Sequence, residues 1–271
     1  MELSVTTDYV KDTGDPSPYL RRIAAAGFTH LHWCHQWNTD FLYSEWEIEQ
    51  IAQWLEEFGL RLLDLHGSAG REKKWSSPRE YERMAGVELV KNRIDMTSRL
   101  GGDVVIMHVP PEPGCEPLRR SLAEIEEFAR ARRVRIAIEN GNFDAVSQVL
   151  DEHSPDYLGL CYDSGHANVE ENGMDRLEPL KDRLISVHLN DNDGVDSNHS
   201  LLFSGTADWS RLARIMAESS YLKCPSMEIL MSSSGIGDED EFLERAFQTG
   251  SRFAGMLDER RKALKRSTAT G

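Results

Sequence analysis

The chain has 271 residues, 39% hydrophobic and 28% charged, with a formal net charge of −15. That is the balance of a soluble globular protein with one large core, and no apolar run approaches the roughly 18 residues of a membrane span. The acidic excess weighs against a surface that grips nucleic-acid phosphates, because such a surface gathers Lys and Arg on one face.

The N-terminal MELSVTTDYV lacks the basic flank and apolar stretch of a signal peptide, so the expected location is the cytoplasm. Cys34, Cys115, Cys161 and Cys224 are far apart and form no CxxC pair, which argues against a disulfide framework and against a thiolate metal site.

In chain order, short β-rich runs alternate with longer stretches of helical period. A strand at 3–6 leads to a helix at 18–26, a strand at 29–33 to a helix at 44–58, and a strand at 60–65 to a helix at 78–100. The pattern continues with strand 103–108 and helix 117–131, strand 135–139 and helix 143–151, strand 158–162 and helix 174–182. It ends with strand 184–189 and helix 208–220, then strand 226–230 and helix 238–264. Ser44 with Glu47 three residues later reads as a capping box, and Gly27 and Gly59 stand where helices hand over to strands. Eight strands alternating with eight helices predict an α/β protein, a single (β/α)₈ TIM barrel over residues 1–271. The basic run within residues 258–271 reads as a helix end and flexible tail.

Ionisable side chains recur at the ends of the expected strands. His66 ends LRLLDLH, His108 ends DVVIMH, Glu139 ends VRIAIE and Asp163 follows LGLCY; His188 lies in LISVHLND and Glu228 in PSMEIL. A single such His or Glu is ordinarily a satisfied core or loop residue. Six of them at the face where barrel active sites form point instead to a shared site. Charged groups inside runs such as IAIE are costly unless paired or bound to a metal. Glu139, Asp163, His188 and Glu228 are therefore candidate ligands of a divalent metal, with Mn, Mg, Co or Zn all compatible with oxygen and imidazole donors.

The segments IAIENG, CYDSGHAN, VHLNDNDG, HSLLFSGTADW and SMEI resemble the xylose isomerase-like barrel superfamily, in order and through most of the chain. That group includes sugar isomerases, ketose 3-epimerases and abasic-site nucleases of the endonuclease IV type. The resemblance implies that Glu139, Asp163, His188 and Glu228 bind one catalytic metal. It also implies that Glu139 and Glu228 act as acid and base on opposite faces of a sugar carbon, through an enediolate, and that His166 binds a substrate oxygen. The nuclease branch would add metal ligands, for which His66, His108, His166 and Asp196 stand at matching motifs. There Asn198 occupies a position where that branch has a histidine, and His199 follows one place late.

Trp33, His35 and Trp37 after the second strand, and Trp75 after the third, are candidate walls of a sugar pocket, with ordinary packing as the competing reading. His35 is the expected substrate contact there, since His30 and His32 fall inside the strand. His66 and His108 are further candidate substrate contacts. The loop at 71–75 is the one stretch with the flavour of a nucleic-acid contact, and a solvated charged loop explains it equally well. The expected function is a divalent-metal-dependent isomerase or epimerase of a monosaccharide or polyol ketone. The alternatives are an endonuclease IV-type phosphodiesterase, an inositol-type dehydratase, and a barrel that binds a sugar without turning it over. The expected partner is a small-molecule sugar, with no membrane and nucleic acid disfavoured; self-association of barrels through their helices stays open.

Overall fold

The computed structural model describes residues 1–35, 42–67 and 74–269. Its strands are β1 (Ser4–Thr6), β2 (His30–Trp33), β3 (Arg61–His66), β4 (Val104–Met107), β5 (Arg135–Glu139), β6 (Leu158–Asp163), β7 (Leu184–His188) and β8 (Ser226–Met227). All pair in parallel, in the order β7-β6-β5-β4-β3-β2-β1-β8. The two ends of that order meet where Leu189 bridges to Met227: the Leu189 N–H donates to the Ser226 carbonyl at 2.9 Å and the Glu228 N–H to the Leu189 carbonyl at 3.2 Å. The protein is a single (β/α)₈ barrel.

Around it lie α1 (Ser17–Ala25), α2 (Glu45–Phe58), α3 (Glu80–Arg99), α4 (Glu116–Ala131), α5 (Phe143–Asp151), α6 (Ser164–Val169), α7 (Gly173–Leu177), α8 (Trp209–Glu218) and α9 (Glu239–Ala269). The α2 entrance is the capping box expected from Ser44 and Glu47: the Ser44 hydroxyl accepts the Glu47 N–H and the Glu47 carboxylate accepts the Ser44 N–H at 2.7 Å. Such caps contribute about 1 kcal/mol. Gly59 ends the same helix at φ 68, a left-handed conformation that costs glycine least.

Three elements differ from the sequence-based expectation, each for a local reason. The helix expected at 174–182 divides into α7 and a 3₁₀ turn, Glu178–Arg183, because Pro179 has no N–H to continue an α-helical ladder. The unexpected α6 begins directly at the end of β6, where the Asp163 carboxylate caps it by accepting the His166 N–H at 2.7 Å. The strand expected over 226–230 shortens to β8, because the N–H groups of Leu230 and Met231 turn away to the carbonyls of His199 and Tyr9, both at 2.8 Å. The basic C-terminal run lies on α9, which continues to Ala269.

Strand alternation divides the core. Val105, Ile136, Ile138, Leu160 and Val187 belong to the large apolar layer that also contains the buried helix residues. Val104, Ile106, Ala137, Cys161 and Ile185 form a separate small cluster that fills part of the barrel interior. Trp75 is buried beside α3, where a Cβ on Gly86 would come within 2.2 Å of the Trp75 nitrogen. Its indole N–H donates to the His108 carbonyl at 3.3 Å and so steadies the end of β4.

Candidate metal centre and active site

Glu139, Asp163 and His188 are the last residues of β5, β6 and β7, and Glu228 immediately follows β8. One donor atom from each of the four lies within 4.8 Å of all the others. His188 Nδ1 is 3.1 Å from Glu139 Oε1 and 3.1 Å from Glu228 Oε2. The four residues are 0–9% exposed, so three carboxylates share one dry space with one imidazole. Such an arrangement demands positive charge, and oxygen with imidazole donors suits a divalent cation. Glu139 Oε2 is buried without a hydrogen-bond partner, an orphaned acceptor of the kind a cation would satisfy.

The electrostatics say the same. Burial alone would raise the Glu139 carboxyl, but the His188 imidazole, with His66 and His108 nearby, holds it well below the usual carboxylate range. Glu228 is lowered in the same way, burial being outweighed by His188. Asp163 moves upward, pushed first by burial and then by the negative charges of Glu139 and Glu228, with His166 opposing. Burial works against a charged His188, yet the Cys161 sulfur and the carboxylates of Glu228 and Glu139 take its pKa well above the ordinary histidine value. Two ionised carboxylates thus flank one point that attracts a positive charge.

The segment Asp163-Ser164-Gly165-His166 builds the β6 corner. Asn140 accepts the Asp163 N–H at 2.6 Å and donates to the Asp163 carbonyl at 3.0 Å. The Asn190 amide donates to Asp163 Oδ2 at 2.8 Å, and Ser164 Oγ donates to the Asn190 carbonyl at 2.6 Å. Gly165 is required by this contact, since a Cβ there would lie 1.9 Å from Asn190 Oδ1. In the following segment, Asp191 accepts the Trp209 indole N–H at 3.0 Å and Asn192 donates to the Gly165 carbonyl at 2.8 Å. The motif VHLNDNDG therefore spends His188 on the centre and its next three polar residues on holding the corner together.

Above the quartet opens a cavity of about 240 Å³, lined by Asp8, Leu230, Glu139, Glu228 and the imidazoles of His66, His108, His166 and His199. The rings follow one another at centroid distances of 5.2 Å (His66–His108), 6.2 Å (His108–His166) and 5.7 Å (His166–His199). His66 Nε2 and His108 Nε2 each lie 3.3 Å from Glu139 Oε2. Nδ1–H of His66 donates to the Gly67 carbonyl at 3.1 Å, so Nε2 is the nitrogen turned to the centre. His166 likewise donates Nδ1–H to the Asn140 carbonyl at 3.0 Å. Burial lowers the His108 pKa; burial also opposes charge on His66 and His166, but Glu139 raises the first, and Asp163 and Glu139 raise the second. Larger hollows lie elsewhere, about 510 Å³ beside Arg61 and Lys223 and about 260 Å³ beside α7 and α8, and neither contains this cluster.

Of the residues singled out from sequence, Glu139, Asp163, His188, Glu228, His66, His108 and His166 come together here. Trp33, His35 and Asp196 do not. Trp33 points to the helix side of β2, buried in the apolar layer with its indole N–H on the His35 carbonyl at 3.0 Å. The His35 Nε2 pairs with the Gly14 carbonyl at 2.7 Å. Asp196 and Asn198 are exposed, and Asn198 Oδ1 accepts from Ser200. Trp37 and residues 71–73 lie outside the described residues.

Four further groups stand near the centre, of which the sequence sets His32 and His199 aside and does not single out Asp8 and Asp64. Asp8 and His199 line the cavity, His199 with φ 52 and Nδ1 on the Glu228 carbonyl at 3.1 Å. His32 and Asp64 lie beneath it, fully buried and joined at 2.8 Å. The available signal was parity: Asp64 precedes His66 by two residues on one strand, so both face inward, and inward-facing His32 alternates with outward-facing Trp33.

A parallel barrel with clustered carboxylates and imidazoles at the C-terminal ends of its strands is the class that fold and centre define. The chain belongs to the xylose isomerase-like TIM barrel family, whose model matches residues 20–246. It is 30% identical over 275 residues to protein y4fM of Sinorhizobium fredii, with 88% of each chain covered. Among solved structures it is similar to a D-tagatose 3-epimerase-like protein (TM-score 0.78, 18% identity, 97% of this chain and 100% of that one). It is also similar to an L-ribulose 3-epimerase (TM-score 0.77, 16% identity, 98% and 97%). At such identities these two likenesses speak for the fold.

Proposed function

We propose that the protein is a divalent-metal-dependent isomerase or epimerase of a small, uncharged sugar or polyol ketone. The observation that carries this reading is the convergence of Glu139, Asp163, His188 and Glu228 within 4.8 Å under an open cavity. Those four side chains would hold the cation, which when bound supplies Lewis acidity that makes the carbon beside a carbonyl acidic.

The chain's own groups do the rest. Glu139 and Glu228 each come within 3.1 Å of His188 Nδ1, and both line the cavity. One carboxylate takes the proton from the acidified carbon, leaving the electron pair to the enediolate of the sugar, and the other, after taking up a proton from solvent, delivers it to the opposite face. That sequence is epimerisation; return by the same carboxylate to the neighbouring carbon is isomerisation. His66, His108, His166 and Asp8 offer hydrogen bonds to hydroxyl groups, and the polar lining suits a monosaccharide in a site of this size. One of the similar solved structures is an L-ribulose 3-epimerase, which agrees with a ketose as substrate.

The test is proton exchange. Ketopentoses and ketohexoses are incubated with Mn²⁺-loaded protein in D₂O, and deuterium uptake beside the carbonyl is followed by NMR. Glu228→Gln is expected to lower uptake at least a hundredfold. Undiminished uptake would remove the role given to Glu228.

One observation favours a second reading. His66, His108 and Glu139 form a further group able to hold a metal, as a phosphodiesterase with clustered Zn²⁺ would need. The exposed Asp196 and Asn198 weigh against its third ion. Elemental analysis separates the two: several zinc ions per chain with cleavage of abasic-site DNA supports the phosphodiesterase, and one ion without cleavage discards it.

A further inference from the structure

Beneath the quartet, the barrel interior contains a chain of buried polar groups that belong to three strands. Asp64 of β3 is fully buried; it accepts Nδ1–H of His32 on β2 at 2.8 Å and the hydroxyl of Ser186 on β7. β3 and β7 are not neighbours in the sheet, so this contact crosses the interior. Each partner is tied to the centre above. Ser186 lies two residues before His188 on the same strand, and the His32 ring packs on the His188 ring at a centroid distance of 4.4 Å and an angle of 61°.

The bond to Asp64 decides what His32 shows to the centre. With its proton on Nδ1, a neutral imidazole turns a lone pair outward at Nε2. That nitrogen is buried, has no hydrogen-bond partner, and faces Glu228 Oε1 across 3.8 Å. A ring nitrogen fixed at that distance occupies the space below the carboxylate. Glu228 is therefore discouraged from turning down into the barrel and keeps Oε2 on the His188 side, at 3.1 Å. The ring contact likewise limits rotation of His188.

We propose that His32, clamped by Asp64 and Ser186, is a positioning residue that sets the Glu228 carboxylate and the His188 ring in the orientation required to bind the cation. The inference rests on the metal-dependent reading of the quartet. It does not depend on which sugar is turned over.

The test uses the full chain, stripped with chelator and titrated with Mn²⁺ while free ion is read by EPR. Asp64→Asn keeps the volume but turns one of the two accepting oxygens into an NH₂ donor, so His32 and Ser186 can no longer both donate to it and the hold on the His32 tautomer is loosened. Mn²⁺ affinity is expected to fall roughly 10–100-fold, the usual effect of altering a group that orients a ligand. His32→Gln is expected to do the same, with kcat falling and KM for the sugar moving less than about threefold. Long-range ¹⁵N–¹H spectra should place the wild-type His32 proton on Nδ1 and lose that signature in Asp64→Asn. Ser4→Ala breaks a buried hydroxyl pair with Ser226 at 3.1 Å; it should lower the melting temperature without changing Mn²⁺ affinity.

If the first two variants fail to fold, Ser186→Ala removes one donor to Asp64 and carries the test, with an expected loss of roughly threefold, the share of one partner among several. Folded variants that bind Mn²⁺ within twofold of wild type overturn the inference. Weakened Mn²⁺ binding in a protein inactive on every ketose removes the sugar reading and supports the positioning role. A wild-type chain that binds no divalent cation removes both.

Discussion

The barrel interior is built in two ways. On the β4–β7 side it is filled by Val104, Ile106, Ala137, Cys161 and Ile185, an apolar cluster that needs only volume and shape. On the other side, β8, β1, β2 and β3 contribute Ser226, Ser4, His32 and Asp64, and Ser186 of β7 reaches across to join them. The apolar side provides a dry floor under Glu139 and Asp163; above it Glu139 faces imidazoles, and Asp163 is held by the Asn190 amide and the His166 N–H. The polar side holds direction: the bonds of Asp64 to His32 and to Ser186 fix a tautomer and a rotamer below Glu228 and His188, while the Ser4–Ser226 pair only satisfies two buried hydroxyls. Desolvation makes the quartet attract a cation, and the polar network decides how the donors face it.

That division can be broken from either side. Ile106→Ala removes packing from the apolar floor and is expected to cost about 2–5 kcal/mol of stability, read by urea unfolding. Mn²⁺ affinity of the folded variant should stay within about threefold, and a larger loss would mean that the floor also sets ligand direction. Gly165→Ala is the converse case. Its Cβ would collide with Asn190, whose amide holds Asp163 Oδ2 at 2.8 Å. Mn²⁺ affinity should fall roughly tenfold, as when an orienting partner is displaced. Full affinity in Gly165→Ala would show that Asn190 does not set the Asp163 carboxylate.

The smallest expected effect lies on the surface and calibrates the other two. Hydrogen bonding by Arg119 takes the Glu152 carboxyl from 4.5 to about 2. A depressed folded-state pKa contributes stability that is complete above the ordinary carboxylate value and lost as pH falls from about 4.5 towards about 2. Both side chains are about a third exposed, so solvent screening limits the pair to under about 1 kcal/mol. Arg119→Ala should melt slightly below wild type at pH 7, with the gap closing on acidification to pH 3. A gap that widens in acid would mean that the pair does not hold the Glu152 carboxyl below its ordinary value.

Much of the centre was legible because a barrel puts strand ends on one rim. Once IAIE, LGLCYD and LISVH are recognised as strands, Glu139, Asp163 and His188 must lie near one another. Loop geometry was not legible. His199 enters the cavity and Asn198 does not, because the backbone at His199 turns through φ 52 and carries its ring onto Glu228. Position within a strand marks His32 as a core residue in the sequence and leaves His35 as the expected contact. The interior of this barrel is polar enough on one side to bury a histidine with its own carboxylate, and strand parity sends His32 inward and Trp33 outward.

The amino-acid sequence by itself determined the alternation of strands and helices, the cap at Ser44, the glycine turns and the strand-end carboxylates, since these follow from spacing and backbone preference within a few residues. Only the tertiary structure decided that Ser186 meets Asp64 across the barrel, 122 positions away, and that Glu228 shares its space with His188. Contacts of that range depend on barrel closure at Leu189 and Met227, where shear and strand tilt choose which inward residues share a layer. No local pattern encodes that choice.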